Sequence, residues 1–114
     1  AGTSISTLAK DFDKVSEEEF DRVLAVNVKG MFLVAKHSKA LLNKGVDPCI
    51  INTASIVGLR PGPQPLPYSA SKAAVISMTQ SLSFALGPKV RVNAVAPGWM
   101  EGEWMERRFW QHYP

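Results

Sequence analysis

Two short apolar runs, separated by a long helical segment, constrain the fold more than any other feature of the sequence. The runs are CIINTAS at 49–55 and VRVNAVA at 90–96. Apolar residues dominate both runs, so both predict strands that are covered on both faces. A helix between two strands, with another helix before the first, is typical of a parallel α/β sheet. We therefore predict one α/β domain over 1–114.

Two helices and one stiff loop complete the predicted architecture. The first helix covers 16–44 and begins with a capping box formed by Ser16 and Glu19. The second helix covers about 69–86 and ends before a Gly-Pro pair. Between the first strand and this helix, the loop at 56–67 contains four prolines, which fix the backbone angle φ and limit the motion of the loop.

Composition excludes several classes of protein. Thirteen Lys and Arg against ten Asp and Glu leave a net charge of +3, and these charges form no basic stripe for nucleic acid. The apolar runs are shorter than the roughly 18 residues of a membrane-spanning helix, and we predict no signal peptide.

Cys49 is the single cysteine of the sequence, which excludes a disulfide within the chain, and its side chain is expected to be buried. His37 and His112 have no partners at metal-ligand spacing, so no metal site is predicted. A cytoplasmic protein is expected.

Four polar side chains are candidates for one site. Ser55 ends the first strand, and Tyr68 and Lys72 open the helix that follows the loop. Ligands of open parallel sheets bind outside the carboxyl ends of the strands, where these three side chains converge. Because residues four apart share a helix face, the phenol of Tyr68 and the ammonium of Lys72 lie one turn from each other. Asn27 lies within the apolar stripe of the first helix and needs a hydrogen-bond partner, since burying an unpaired amide is costly.

These residues resemble the C-terminal half of a short-chain dehydrogenase/reductase. The matching motifs are NVKG at 27–30, a Ser thirteen residues before a Tyr, YSASK at 68–72 and RVNAVAPG at 91–98. Ala-Gly at 1–2 is similar to the end of the family's NNAG strand. The resemblance implies a partial, Rossmann-like, doubly wound parallel sheet that lacks the N-terminal dinucleotide-binding half.

The resemblance also implies a reaction, which is hydride transfer between NAD or NADP and a small alcohol or ketone. Tyr68 would be the acid/base, and because a free tyrosine has a pKa of about 10, a nearby cation such as Lys72 would be needed to favour the phenolate. Lys72 would also bind the nicotinamide ribose. Ser55 would donate a hydrogen bond to the substrate oxygen. Asn27 would hold a water that links Lys72 to solvent.

Further residues are assigned to binding by the same resemblance. The cofactor-binding candidates are Gly2, Thr53, Tyr68, Lys72, Pro97, Gly98 and Met100. The substrate-binding candidates are Ser55, Tyr68, Trp99 and Trp104, with the two tryptophans in a predicted mobile flap over an apolar part of the substrate.

One motif of the family is absent from the 114 residues, namely the phosphate-binding loop Thr-Gly-x-x-x-Gly-x-Gly. The residue that chooses between NAD and NADP is absent with it. We therefore expect a fragment that is inactive in isolation. The alternative is a catalytically silent chain that acts as an interaction partner of a full-length relative. An epimerase or dehydratase of the same superfamily is a narrower alternative, but the spacing of Ser55 and Tyr68 favours a dehydrogenase.

The resemblance finally implies a homo-oligomer that forms through the helices at 16–44 and 69–86. The second helix carries a small-residue ridge, spaced by four, that lets another helix approach closely. The ridge consists of Ala73, Ser77, Ser81 and Ala85.

Overall fold

A computed structural model describes residues 2–98. The elements follow the predicted order of helix, strand, helix and strand, and the predicted α/β class is confirmed. In chain order they are a 3-10 turn at Ala9–Lys14, α1 at Glu17–Leu24, a π turn at Ala25–Lys29, α2 at Gly30–Lys44, β1 at Cys49–Thr53, a second 3-10 turn at Ile56–Gly58, α3 at Leu66–Leu86 and β2 at Arg91–Val95.

The two strands form a parallel pair that is in register over their whole length. Hydrogen bonds continue beyond both strand ends. The Ala54 N–H donates to the Val95 carbonyl at 2.8 Å, and the Ile56 N–H donates to the Pro97 carbonyl at 3.1 Å. The segments that follow β1 and β2 therefore lie side by side at the carboxyl edge of the sheet, where the sequence placed the candidate site.

The covering of the sheet differs from the prediction. Successive side chains of a strand point to opposite faces. Asn52 and Val92 are buried on the face that α3 covers, whereas Ile51 and Val95, on the other face, are 67% and 49% exposed. Cys49 shares that open face and is exposed, so its predicted burial is wrong. An apolar run indicates that a strand prefers to be covered, and it does not specify which segment covers it.

The predicted helix at 16–44 is interrupted. Its start is confirmed, because the Glu19 N–H donates to Ser16 Oγ at 3.1 Å and the Ser16 N–H donates to Glu19 Oε1 at 3.2 Å. The π turn, marked by the Gly30 N–H donating to the Ala25 carbonyl, separates α1 from α2. Asn27 lies in the middle of this turn. π turns within helices occur frequently at functional sites.

The helix α3 begins at Leu66, three residues before the predicted start, with a proline in its first turn. One side of α3 is buried at intervals of four residues, at Pro67, Ser71, Val75 and Thr79. The predicted small-residue ridge is exposed along its length. The core at the buried side has Val23, Val75 and Val90 at its centre, each at most 1% exposed.

Candidate functional site

Ser55 lies two residues after the end of β1, where it caps the second 3-10 turn. Its Oγ accepts a hydrogen bond from the Val57 N–H at 3.4 Å. The turn packs directly on the backbone of α3, because a Cβ added at Gly58 would lie 2.8 Å from the Lys72 carbonyl carbon and 2.9 Å from the Ala73 nitrogen. Only glycine allows this approach, which holds the segment that begins at Ser55 against the first turns of α3.

Tyr68 and Lys72 lie in those first turns of α3. The Lys72 ammonium is 5.6 Å from the centroid of the Tyr68 ring, which is within the range of a cation–π contact. The Nζ donates to the Thr53 carbonyl at 3.1 Å. Lys72 is only 7% exposed, and its burial lowers the pKa of the amine below its ordinary value. The predicted proximity of phenol and cation is therefore present in the structure.

Asn27 is 2% exposed and has hydrogen-bond partners on both sides of its amide. Its Oδ1 accepts from the Thr3 N–H at 2.7 Å, and its Nδ2 donates to the Thr3 carbonyl at 2.8 Å and to Ser71 Oγ at 3.0 Å. Ser71 Oγ in turn donates to the Tyr68 carbonyl at 2.6 Å. The requirement for a partner is thus met by protein groups, and the role of Asn27 in holding a water stays a prediction.

Gly2 lies between the two polar ends of this arrangement. A Cβ added at Gly2 would stand 3.5 Å from Asn27 Oδ1 and 3.7 Å from Lys72 Nζ. The absent side chain therefore leaves space beside the ammonium. An ammonium has three donor hydrogens, and within residues 2–98 Lys72 has one acceptor, the Thr53 carbonyl. The remaining donors are available to ribose hydroxyls, so the nicotinamide end of a dinucleotide fits the residues present.

A cavity of about 180 Å³ lies in front of Ser55 and Tyr68, and Gly98 also lines it. The proline loop forms one wall. Arg60, in this wall, is the one charged side chain among the described residues that line the cavity. Arg60 is not among the residues predicted for the site, although it is the one charged residue of the loop at 56–67.

The remaining predicted binding residues have different outcomes. Thr53 contributes its backbone carbonyl to Lys72, and Pro97 contributes its carbonyl to the ladder between the two strand ends. Met100, Trp99 and Trp104 lie outside the described residues. In the described part of the chain, no group of three or more His, Cys, Asp or Glu side chains is placed to hold a metal ion. None of the helices within 2–98 has the length and apolarity needed to cross a membrane.

Comparison with known proteins gives consistent matches over most of the chain. A family model described as enoyl-(acyl carrier protein) reductase matches residues 1–109. The 3-oxoacyl-[acyl-carrier-protein] reductase FabG of Thermotoga maritima is 40% identical over 95 residues, which cover 82% of this chain and 39% of that relative. Across the curated relatives compared, the chain spans 34% to 63% of their length.

Solved structures match the fold closely. A short-chain dehydrogenase/reductase of Brucella melitensis, described as glucose/ribitol dehydrogenase, superimposes with a TM-score of 0.87 at 31% identity, over 97% of this chain and 43% of that one. A short-chain dehydrogenase of Leptospira borgpetersenii with bound NAD⁺ gives a TM-score of 0.81 at 32% identity, over 90% of this chain and 42% of that one. The motifs, the parallel fold and these matches show that the chain belongs to the short-chain dehydrogenase/reductase family.

Proposed function

We propose that this chain carries the acid/base centre of an NAD- or NADP-dependent oxidoreductase that interconverts an alcohol and a ketone. The observation that carries the proposal is the buried Lys72 ammonium, which lies 5.6 Å from the Tyr68 ring and retains donors for a ligand. The Leptospira borgpetersenii relative, which binds NAD⁺, supports the same class of cofactor.

The chemistry divides between the cofactor and the chain. A bound nicotinamide cofactor would supply the hydride-transfer chemistry. Tyr68 takes the proton from the substrate hydroxyl during oxidation and returns it during reduction. Ser55, at the same cavity, donates a hydrogen bond to the substrate oxygen as negative charge develops there. The positive charge of Lys72 stabilises the phenolate, and its free donors bind the ribose.

The substrate binds in the cavity formed by Ser55, Tyr68 and the proline loop. Since Arg60 lines this cavity, a substrate with an anionic group beside its carbonyl is favoured electrostatically. One relative of this chain is the 3-oxoacyl-[acyl-carrier-protein] reductase FabG of Thermotoga maritima. We therefore take carbonyl compounds with an anionic carrier or side group as the first substrates for assay.

A second candidate function is that of a catalytically silent interaction partner of a full-length relative. One observation favours it. One edge of β1 has no neighbour among the described strands, and an apolar groove of about 570 Å³ runs between β1 and α2. An unpaired, apolar strand edge readily accepts a strand from another chain.

A titration with NADH and NADPH, followed by quenching of tryptophan fluorescence, separates the two candidates when it is made on a complete protein that includes the dinucleotide-binding half. If the first candidate function is right, we expect saturable binding of one nucleotide. Lys72→Ala should weaken this binding at least about tenfold, because the ribose contact is lost. Lys89→Ala is the matched control, since Lys89 is an exposed lysine whose Nζ contacts the Gly45 carbonyl, away from the site. A folded chain that binds neither nucleotide at millimolar concentration would support the silent partner.

We also propose that a second copy of the chain covers the exposed face of α3. The small-residue ridge lies there, and Phe84 on the same helix is 93% exposed. A shallow apolar hollow lies beside this surface, where α3 meets α1, the π turn and α2. Its apolar lining residues are Leu24, Val28, Phe32 and Met78. Sedimentation should detect a dimer that Phe84→Glu dissociates and that Val46→Glu, at an exposed position outside the helices, leaves intact. A wild-type monomer would contradict the proposal.

A further inference from the structure

Ser71 is completely buried and stands between two residues to which the proposed function gives catalytic roles. In sequence it lies between Tyr68 and Lys72. In space its hydroxyl joins α3 to the π turn, because Oγ accepts from Asn27 Nδ2 at 3.0 Å and donates to the Tyr68 carbonyl at 2.6 Å. It is the side chain through which the described structure connects the amide of Asn27 to the segment that carries the phenol.

The direction of these hydrogen bonds is fixed. A serine hydroxyl has one hydrogen, and the Tyr68 carbonyl can only accept, so Ser71 Oγ must donate to that carbonyl and accept from Asn27. The amide nitrogen of Asn27 therefore faces Ser71, and its Oδ1 faces the Thr3 N–H, from which it accepts at 2.7 Å. Ser71, together with the backbone of Thr3, thus determines which end of the Asn27 amide lies toward Gly2 and the Lys72 ammonium.

The same hydroxyl also stabilises the first turns of α3. Its hydrogen bond to the carbonyl three residues earlier closes the backbone around Tyr68. Lys72 lies one turn after Tyr68, and its Nζ donates to the Thr53 carbonyl at the end of β1. One completely buried side chain, Ser71, therefore contributes to the relative position of the phenol, the ammonium and the amide.

We propose that Ser71 is a positioning residue that aligns the Tyr68–Lys72 turn with the π turn through Asn27. This inference rests on the proposed function, because positioning has a catalytic consequence only if Tyr68 and Lys72 act on a substrate. Ser71 itself touches no reacting atom, and it acts by holding the groups that do.

The chain offers a matched control two turns further along the same helix. Thr79 Oγ1 accepts from Asn52 Nδ2 at 3.0 Å and donates to the Val75 carbonyl at 2.7 Å. Thr79 is 7% exposed and Asn52 is 6% exposed, so this group is also buried. Removing either hydroxyl breaks one amide–hydroxyl–carbonyl connection, but only Ser71→Ala breaks the connection beside Tyr68.

The first measurement compares turnover of Ser71→Ala and Thr79→Val with that of the unmodified protein. We expect Ser71→Ala to lower kcat about tenfold to a hundredfold while the KM for nucleotide stays within about twofold, because small displacements of catalytic groups are this costly. Thr79→Val should leave kcat within about twofold, although both variants lose thermal stability. Equal losses of kcat in the two variants would overturn the proposal.

A double-substitution cycle tests whether Ser71 acts through Asn27. If it does, Ser71→Ala should reduce kcat by less than about twofold in a protein that already carries Asn27→Ala, since residues of one network are not additive. Additive losses would contradict the connection.

A second measurement does not depend on turnover and decides the case in which no wild-type activity is found. Amide hydrogen exchange at 68–72 should become at least about tenfold faster in Ser71→Ala and remain unchanged in Thr79→Val. The NMR titration midpoint of the Lys72 amine should rise toward its ordinary value in Ser71→Ala alone, as the side chain becomes more hydrated. If both variants behave alike in exchange and titration, Ser71 has no positioning role. An inactive wild-type protein with the expected exchange pattern would refute the proposed function and leave the positioning intact.

Discussion

The two buried amide–hydroxyl–carbonyl groups of α3 have the same chemistry and different neighbours. Asn27, Ser71 and the Tyr68 carbonyl form one group, which we call the near group, and Asn52, Thr79 and the Val75 carbonyl form the other, the far group. The near group lies next to a phenol, a buried ammonium and a cavity, whereas the far group lies between α3 and the covered face of the sheet.

The same buried amide–hydroxyl–carbonyl arrangement can therefore serve structure in one place and, as we propose, reactivity in another. In both groups a buried side-chain amide fixes the distance between α3 and another element. The near group fixes the π turn relative to two titratable residues, so we expect small displacements there to change the reaction rate. The far group fixes β1 relative to α3, so we expect displacements there to change stability alone.

The largest expected loss of stability concerns the close contact between the second 3-10 turn and the backbone of α3. Gly58→Ala places a Cβ 2.8 Å from the backbone of Lys72, where no flexible side chain can yield. We expect the free energy of unfolding to fall by about 3 kcal/mol, as in severe overpacking. Gly62→Ala is the control, because its Cβ would meet only a Val57 methyl group at 3.4 Å. Urea denaturation of both variants checks this, and equal stabilities would show that the close contact is absent.

The next largest effect is the loss of unfolding free energy when the buried amide of Asn27 or of Asn52 is removed. Asn27→Ala removes three hydrogen bonds and leaves the Thr3 backbone groups and Ser71 without this partner, whereas Asn52→Ala removes one. We expect losses of about 3 kcal/mol and about 1 kcal/mol of unfolding free energy, respectively, on the scale of unsatisfied buried polar groups. Chemical denaturation measures both. A larger loss at Asn52 would mean that the far group holds the fold together more strongly.

A smaller effect on the unfolding free energy comes from the buried charge of Lys72, which lies next to the near group. Burial lowers the pKa of Lys72, so the folded chain binds fewer protons than the unfolded chain between the lowered pKa and 10.5. Below that window the buried charge destabilises the folded state fully, and the penalty disappears as the pH rises through the window. Lys72→Met should therefore stabilise the chain relative to wild type at low pH, with a difference that shrinks as the pH rises. Urea denaturation across the pH range checks the trend, and a difference that grows with pH would contradict the assigned cause.

The smallest expected effect lies in the far group. The double variant Asn52→Leu/Thr79→Val replaces both polar partners by apolar groups of similar shape, which can be nearly neutral, so the unfolding free energy should change by less than about 1 kcal/mol. Turnover should not change either. If activity fell with the far pair, the distinction between a structural group and a positioning group would be lost. Calorimetry and a rate assay on one preparation provide both readings.

The sequence predicts the fold class and the residues of the site more readily than their surroundings. The capping box at Ser16, the helix break after α3 and the one-turn spacing of Tyr68 and Lys72 are local features, and each is present as predicted. Local spacing suffices in these cases because the interacting residues are at most four positions apart.

Features that depend on distant contacts were not predictable in the same way. The need of Asn27 for a partner followed from its residue type, but Thr3 lies 24 positions away and Ser71 lies 44 positions away. Ser71 and Thr79 resemble solvent-facing helix residues in the sequence. The π turn was missed because the whole segment at 16–44 was assigned a single helical periodicity. The exposure of Cys49 and Ile51 depends on what covers the sheet, which a strand's own residues do not encode.

The most direct test of the proposed mechanism is the turnover of Tyr68→Phe, made in a complete protein that includes the dinucleotide-binding half, with a ketone substrate and NADH or NADPH and with Thr79→Val as a structural control. We predict that Tyr68→Phe lowers kcat by about a thousandfold, the scale of a lost general acid, while nucleotide affinity stays within a few-fold. Thr79→Val should retain the wild-type rate. Substantial residual turnover in Tyr68→Phe would show that the acid/base is another group and would contradict the proposed mechanism.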